Sequence, residues 1–160
     1  MTWKKWIIGV VLCLCMLVCT AYAVDDATTA WLGTSGNGLS VGGVTVTAEN
    51  ADSITGDGIT GVVSFAVVDG TPTLTLNGAT ITRGTPVSQG KYYIYPIHIN
   101  GSSGLKLVLQ GTNRIEAAAT AEVPDTFGIY MGEDKGQLTL SGDADSVLTI
   151  NSTNAGLYIY

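Results

Sequence analysis

Apolar and polar residues alternate with period two along most of this chain, and from residue 73 onward the alternating segments repeat. Thr73-Leu74-Thr75-Leu76-Asn77-Gly78, Leu107-Val108-Leu109-Gln110-Gly111 and Gln137-Leu138-Thr139-Leu140-Ser141-Gly142 line up, with their glycines 33 and 31 positions apart. Pro96-Ile97-His98, Gly128-Ile129-Tyr130 and Gly156-Leu157-Tyr158 form a second series, spaced by 32 and 28. A repeat of about 30 residues, made only of short strands and turns, predicts one structural rung per repeat. Stacked rungs form a β-solenoid, an architecture that presents surfaces for binding.

The same alternation assigns faces, because successive strand side chains point to opposite sides. It predicts an inward set of Leu74, Leu76, Ile81, Ile97, Ile99, Leu105, Leu107, Leu109, Ile115, Ile129, Met131, Leu138, Leu140, Leu148 and Ile150. The outward set is Thr75, Lys106, Val108, Thr139, Ser141 and Thr149. Upstream, Leu39-Ser40-Val41 and Val44-Thr45-Val46 flank Gly42-Gly43 and read as a tight hairpin. Residues 51–61 are turn-rich, 62–68 form a strand, and Asp69-Gly70-Thr71-Pro72 is a turn. Residues 84–90 read as a loop inserted in the first rung. The insert at 117–125 has helix-favouring alanines, but Pro124 limits it to one turn. Residues 156–160 open a fourth rung and stop, so the solenoid reads as incomplete, with an apolar last strand prone to association. The expected fold is therefore all-β, a coil of about three rungs over residues 39–160. A β-sandwich is the competing architecture, but it would not require aligned glycines at near-constant spacing.

The first residues change the picture of where this domain works. Lys4 and Lys5 precede an apolar run from Trp6 to Cys19, and Ala21-Tyr22-Ala23 has the small-x-small form of a cleavage site. Residues 1–23 read as a signal peptide, and residues 24–38 as a polar leader before the solenoid. The expected destination is secretion or the cell surface, with no membrane association after cleavage. All three cysteines leave with the signal, so packing rather than disulfides must hold the fold. What remains is acidic: 13 Asp and Glu in the whole chain face seven Lys and Arg, two of which are Lys4 and Lys5. No basic stripe exists for nucleic acid or an anionic membrane.

Taken in order, Val41-Gly42-Gly43-Val44, Ile54-Thr55-Gly56-Asp57-Gly58, Leu74-Thr75-Leu76-Asn77-Gly78-Ala79-Thr80-Ile81-Thr82 and the repeated Gly-Ile-Tyr and Leu-Thr-Leu-x-Gly motifs resemble a class of secreted bacterial proteins. These are parallel β-helix, pectate-lyase-like modules described as carbohydrate-binding. The resemblance covers roughly residues 39–160. It implies a right-handed parallel β-helix that binds plant-type polysaccharide, with calcium as an additional candidate ligand.

The residues themselves offer two candidate sites. If Ile97, Ile129 and Leu157 point inward, then His98, Tyr130 and Tyr158 share one outward column, a ladder of rings able to stack on sugars. An aromatic stack that only stiffens the sheet, or one covered by a loop, is the alternative. Tyr92-Tyr93-Ile94-Tyr95 forms a dense aromatic patch that reads as packing. Glu133, Asp134, Asp143 and Asp145 occupy neighbouring turns and are the candidate calcium ligands, although no Asp-x-Asp-x-Asp-Gly loop is present. Solvated turn charges, with Arg114 pairing to Asp143 or Asp145, are the plainer reading. A lyase would need clustered carboxylates and a basic residue within reach of the abstracted proton, and no two basic residues recur in one column. The sequence therefore points to a non-catalytic polysaccharide-binding module. A structural or adhesive segment and a lyase fragment are the rival readings.

Overall fold

The computed structural model describes residues 24–88, 90–101, 104–132 and 136–159. The signal segment 1–23 and the candidate ligands Glu133 and Asp134 lie outside the described residues. The described chain is all-β apart from one helix, and among these residues no helix is long and apolar enough to cross a membrane.

That helix, α1 (Asp26–Gly33), occupies the segment expected to be a polar leader. Its polar residues serve to start it. The Asp25 carboxylate accepts from the Thr28 backbone N–H at 2.8 Å and from the Thr28 hydroxyl at 2.9 Å, an N-cap arrangement. The same buried Thr28 hydroxyl accepts from the Val67 N–H at 2.8 Å, tying the helix to the body. Trp31 packs on Phe65 with ring centroids 5.1 Å apart. Residues 24–38 are thus part of the fold rather than an appendage.

The strands follow in order. β1 (Gly38–Val41) and β2 (Val44–Thr45) make the predicted hairpin, pairing Val41 with Val44. β3 (Ile59–Val68) and β4 (Thr71–Ile81) form a long antiparallel pair joined at Asp69-Gly70. β5 (Thr85–Ser88) and β6 (Tyr92–Tyr95) form a second hairpin where a loop was expected. Then come β7 (Ile97–Asn100), β8 (Leu105–Gln110), β9 (Thr112–Glu116), β10 (Phe127–Met131), β11 (Leu138–Gly142), β12 (Val147–Asn151) and β13 (Ala155–Ile159). The insert at 117–125 contains no helix: it runs in irregular backbone with a bend at 121–122, where the Thr120 N–H donates to the Val123 carbonyl, and Thr126 bridges to Ile94.

From β4 onward the repeats pair in parallel. β10 lies between β7 and β13, β8 between β4 and β11, and β9 between β4 and β12. The sheet carrying β4, β8, β9, β11 and β12 curls into a half-barrel. At the N-terminal end the pairing changes hand: β3 runs antiparallel to β4, and β1 antiparallel to β7. The first two repeats hold the spacing read from sequence, with Leu74 opposite Leu107 and Leu76 opposite Leu109. Gly78 and Gly111 end these segments in the same left-handed conformation, at φ 56° and 64°, which is why glycine recurs there. The third repeat is displaced by two. Leu140 pairs with Leu107 and Gly142 with Leu109, so Gly142 is a strand residue and not the counterpart of Gly111. A longer turn at residues 143–146 absorbs the two extra positions before Val147 pairs with Thr112.

The core follows the inward set closely. Leu74, Leu76, Ile81, Ile97, Ile99, Leu105, Leu107, Leu109, Ile115, Ile129 and Met131 are all buried in one cluster. Leu138, Leu148 and Ile150 are only partly buried, and Leu140 is 56% exposed. These four face the same side as their partners but sit on β11 and β12, which have a strand neighbour on one side only.

Two features lock the strands together. A Cβ on Gly128 would come within 2.1 Å of Ile150 Cγ2 and 2.5 Å of the Gly156 carbonyl oxygen, so the rungs meet there at a distance only glycine allows. Asn113, fully buried, bridges three successive segments. Its Oδ1 accepts from Ala79 N–H at 2.9 Å, while its Nδ2 donates toward the Gln110, Gly111 and Val147 carbonyls at 3.1, 3.2 and 3.4 Å.

Candidate functional site

β7, β10 and β13 place His98, Tyr130 and Tyr158 in one column, with Tyr130 in register with both of the others. Their neighbours Ile97 and Ile129 belong to the main core, whereas Tyr130 belongs to a separate cluster on the opposite face of the sheet. The column therefore points away from the main core, as the alternation predicts.

It does not form a row of open ring faces. Tyr95 from the β5–β6 hairpin stacks on Tyr130 at 4.3 Å and 22°, and Tyr130 stacks on Tyr158 at 5.6 Å and 7°. Parallel rings that close must overlap face to face, because coplanar rings would collide at that separation. Both faces of Tyr130 are thus occupied, and the residue is only 7% exposed. His98 packs against Tyr95 and Tyr130 at 5.2 Å from each and is half-buried. Phe127 fills in behind, 5.5 Å from Tyr95 and 5.2 Å from Tyr158. Tyr158 is the ladder residue that meets solvent most, at 38% exposure. Tyr92 on the hairpin is 60% exposed and Tyr93 is half-buried.

The hairpin and Phe127 were not recognised from sequence as parts of this site. The signal was the density of Tyr92-Tyr93-Ile94-Tyr95 immediately before the first ladder strand. One link of this hairpin to the body is a hydrogen bond of 2.8 Å between the Thr85 and Ser40 hydroxyls.

Burial sets the titration of the cluster. It pushes the Tyr95 hydroxyl up to about 12, with the surrounding phenols adding to the effect. It holds His98 below its ordinary value, against a hydrogen bond with Asn100 that works the other way. The signs fix the pH profile. The unfolded chain takes up a proton at His98 below about pH 6.5 that the folded chain resists, so stability should fall as the pH drops below that value. Tyr95 keeps its proton in the fold, so its contribution is complete below its ordinary value of 10.0 and is lost as the pH rises toward about 12. Melting curves across pH 5–12 should show both declines. His98→Gln should flatten the limb below about pH 6.5, and Tyr95→Phe the limb above about pH 10.

Two of the four acidic candidates fall among the described residues. Asp143 and Asp145 are exposed, and the Ser146 hydroxyl donates to the Asp143 carboxylate at 2.5 Å. Arg114 pairs with Glu116 on its own strand and not with Asp143 or Asp145, because the β11 displacement and the longer turn after it, two residues each, put it opposite Thr149. Among the described residues no three His, Cys, Asp or Glu side chains converge as a metal site would require.

No protein-family model, curated protein or solved structure matches this chain. The functional reading therefore rests on the geometry of the aromatic cluster and on the residues that form it.

Proposed function

We propose that this chain is an exported, non-catalytic module that binds polysaccharide, built as a right-handed parallel β-helix. The observation that carries the reading is Tyr158, a ring 38% exposed to solvent and stacked on a buried aromatic column. A sugar-binding platform needs an aromatic ring held rigid before the ligand arrives, so that little side-chain freedom is lost on binding. Stacking on Tyr130 and edge contact with Phe127 supply that rigidity here. His98 and Tyr130 act from beneath as support. Parallel strands at offsets of 32 and 28 residues support the β-helix. The acidic balance and the resemblance noted from sequence support an extracellular glycan over nucleic acid as partner.

Affinity electrophoresis of the exported protein in gels containing soluble plant and cell-wall polysaccharides tests this. The wild type should be retarded by at least one of them. Tyr158→Ala should be retarded clearly less than the wild type while melting within a few degrees of it. Retardation unchanged in Tyr158→Ala, or a wild type retarded by none of the polysaccharides, overturns the reading.

A further inference from the structure

A cleft of about 440 Å³ opens on another part of the surface, where β4, β9 and β12 end. That volume lies within the roughly 300–1,000 Å³ range of small-molecule sites. Its polar residues recur rung by rung. Ile81 pairs with Ile115 and Ile115 with Ile150, and the residue following each isoleucine lines the cleft: Thr82, Glu116 and Asn151. Ser152 and Thr153 add hydroxyls beyond Asn151, and Ala117 provides an apolar floor that is itself buried.

We propose that this cleft is a second glycan subsite, selective for uncharged sugar residues. The inference rests on the polysaccharide-binding reading given above. A carboxylate accepts two hydroxyl donors side by side, and a carboxamide offers one acceptor and two donor protons. Glu116 and Asn151 on adjacent strands are hydrogen-bonded to each other, and the lone pairs and amide proton left over suit the vicinal hydroxyls of a sugar, which both donate and accept. Alanine methyls suit the C–H face of the same ring. The charge pattern excludes acidic sugars. The hydrogen bond from Arg114 keeps the Glu116 carboxyl below its usual range, so it is ionised at neutral pH. That bond also engages the Arg114 guanidinium, and Glu116 is the sole charged residue among the described lining residues. A uronate in the cleft would meet a carboxylate whose cation, Arg114, is already engaged by it, so its own charge would find no partner among the lining residues, and it should bind about tenfold more weakly than a neutral sugar.

The test is a titration of the isotopically labelled exported protein, followed by amide NMR shifts. The probes are xyloglucan oligosaccharides and β-1,4-galactan as neutral glycans, and oligogalacturonate as the acidic one. A neutral glycan should shift the amides of Ala117, Ser152 and Thr153 as well as those around Tyr158. Asn151→Ala should abolish the cleft shifts and leave the Tyr158 shifts in place. Oligogalacturonate should shift the cleft amides at least about tenfold more weakly than the best neutral glycan. Shifts confined to Tyr158 would overturn the cleft and leave the polysaccharide-binding reading standing. Stronger binding of oligogalacturonate at the cleft would overturn its selectivity. Absence of shifts at both places with every probe would overturn both readings.

Discussion

Asn113→Ala should be among the most damaging single substitutions in this protein, costing about 2–4 kcal/mol and roughly 10 °C in melting temperature. The side chain is fully buried and meets backbone groups of three segments: Ala79, the Gln110–Gly111 turn, and Val147. Removing it leaves the buried Ala79 N–H without its partner and takes a donor from the Gln110 and Val147 carbonyls, while the Gly111 carbonyl keeps the Val147 N–H; a buried group left unpaired costs about 1–3 kcal/mol. Asn113→Asp separates hydrogen bonding from packing. Aspartate has the same shape but, when ionised, no donor, so the carbonyls would face a buried negative charge. It should destabilise at least as much as alanine at pH 7 and recover part of the loss on acidification. Thermal melts of the two variants at pH 7 and pH 4.5 make the comparison. A near-neutral Asn113→Asp at pH 7 would show that the residue only fills space.

Tyr130→Ala should cost about 3–5 kcal/mol, the range for emptying a buried aromatic site. Its ring is 7% exposed and lies between Tyr95 and Tyr158, with His98 at its edge. Truncation removes one of the contacts that seat the β5–β6 hairpin against the sheet, so the loss should include loosening of that hairpin. Proteolysis at residues 85–95 should accelerate in Tyr130→Ala, and Tyr130→Phe should restore most of both stability and resistance. A melting temperature unchanged in Tyr130→Ala would mean that the stack contributes little and that the hairpin is held elsewhere.

Much of this architecture was legible in the alternation. Spacing of Ile97, Ile129 and Leu157 placed β7, β10 and β13 in register, and with them the column of His98, Tyr130 and Tyr158. The register of β11 was misread for a physical reason. A slip of two in a strand leaves every side chain on its original face, so the apolar pattern is blind to it. The two further positions before β12 are taken up in the turn at residues 143–146, which carries no apolar signal. The helix over Asp26–Gly33 was missed because threonines and an aspartate read as polar filler, although Asp25 and Thr28 are its cap. The β5–β6 hairpin was read as a loop because Gly84, Pro86 and Gly90 punctuate it. The role of Asn113 was visible in principle. It stands two positions before the buried Ile115, so alternation alone turns it inward, where an amide needs partners.

β10 has a hydrophobic cluster on each side: Ile129 and Met131 on one, Phe127 and Tyr130 on the other. Every residue of this strand is buried. It behaves as the middle layer of a laminate, not as the skin of a coil. The neighbouring strand β13 carries the corresponding register positions with Leu157, Tyr158 and Ile159 exposed. Adjacent strands therefore divide the work. The residues of β10 answer to packing and leave little room for substitution, while those of β13 can vary without emptying a core. On the proposed reading, a descendant of this protein could acquire a new sugar preference by altering one strand and inherit its framework unchanged from the next.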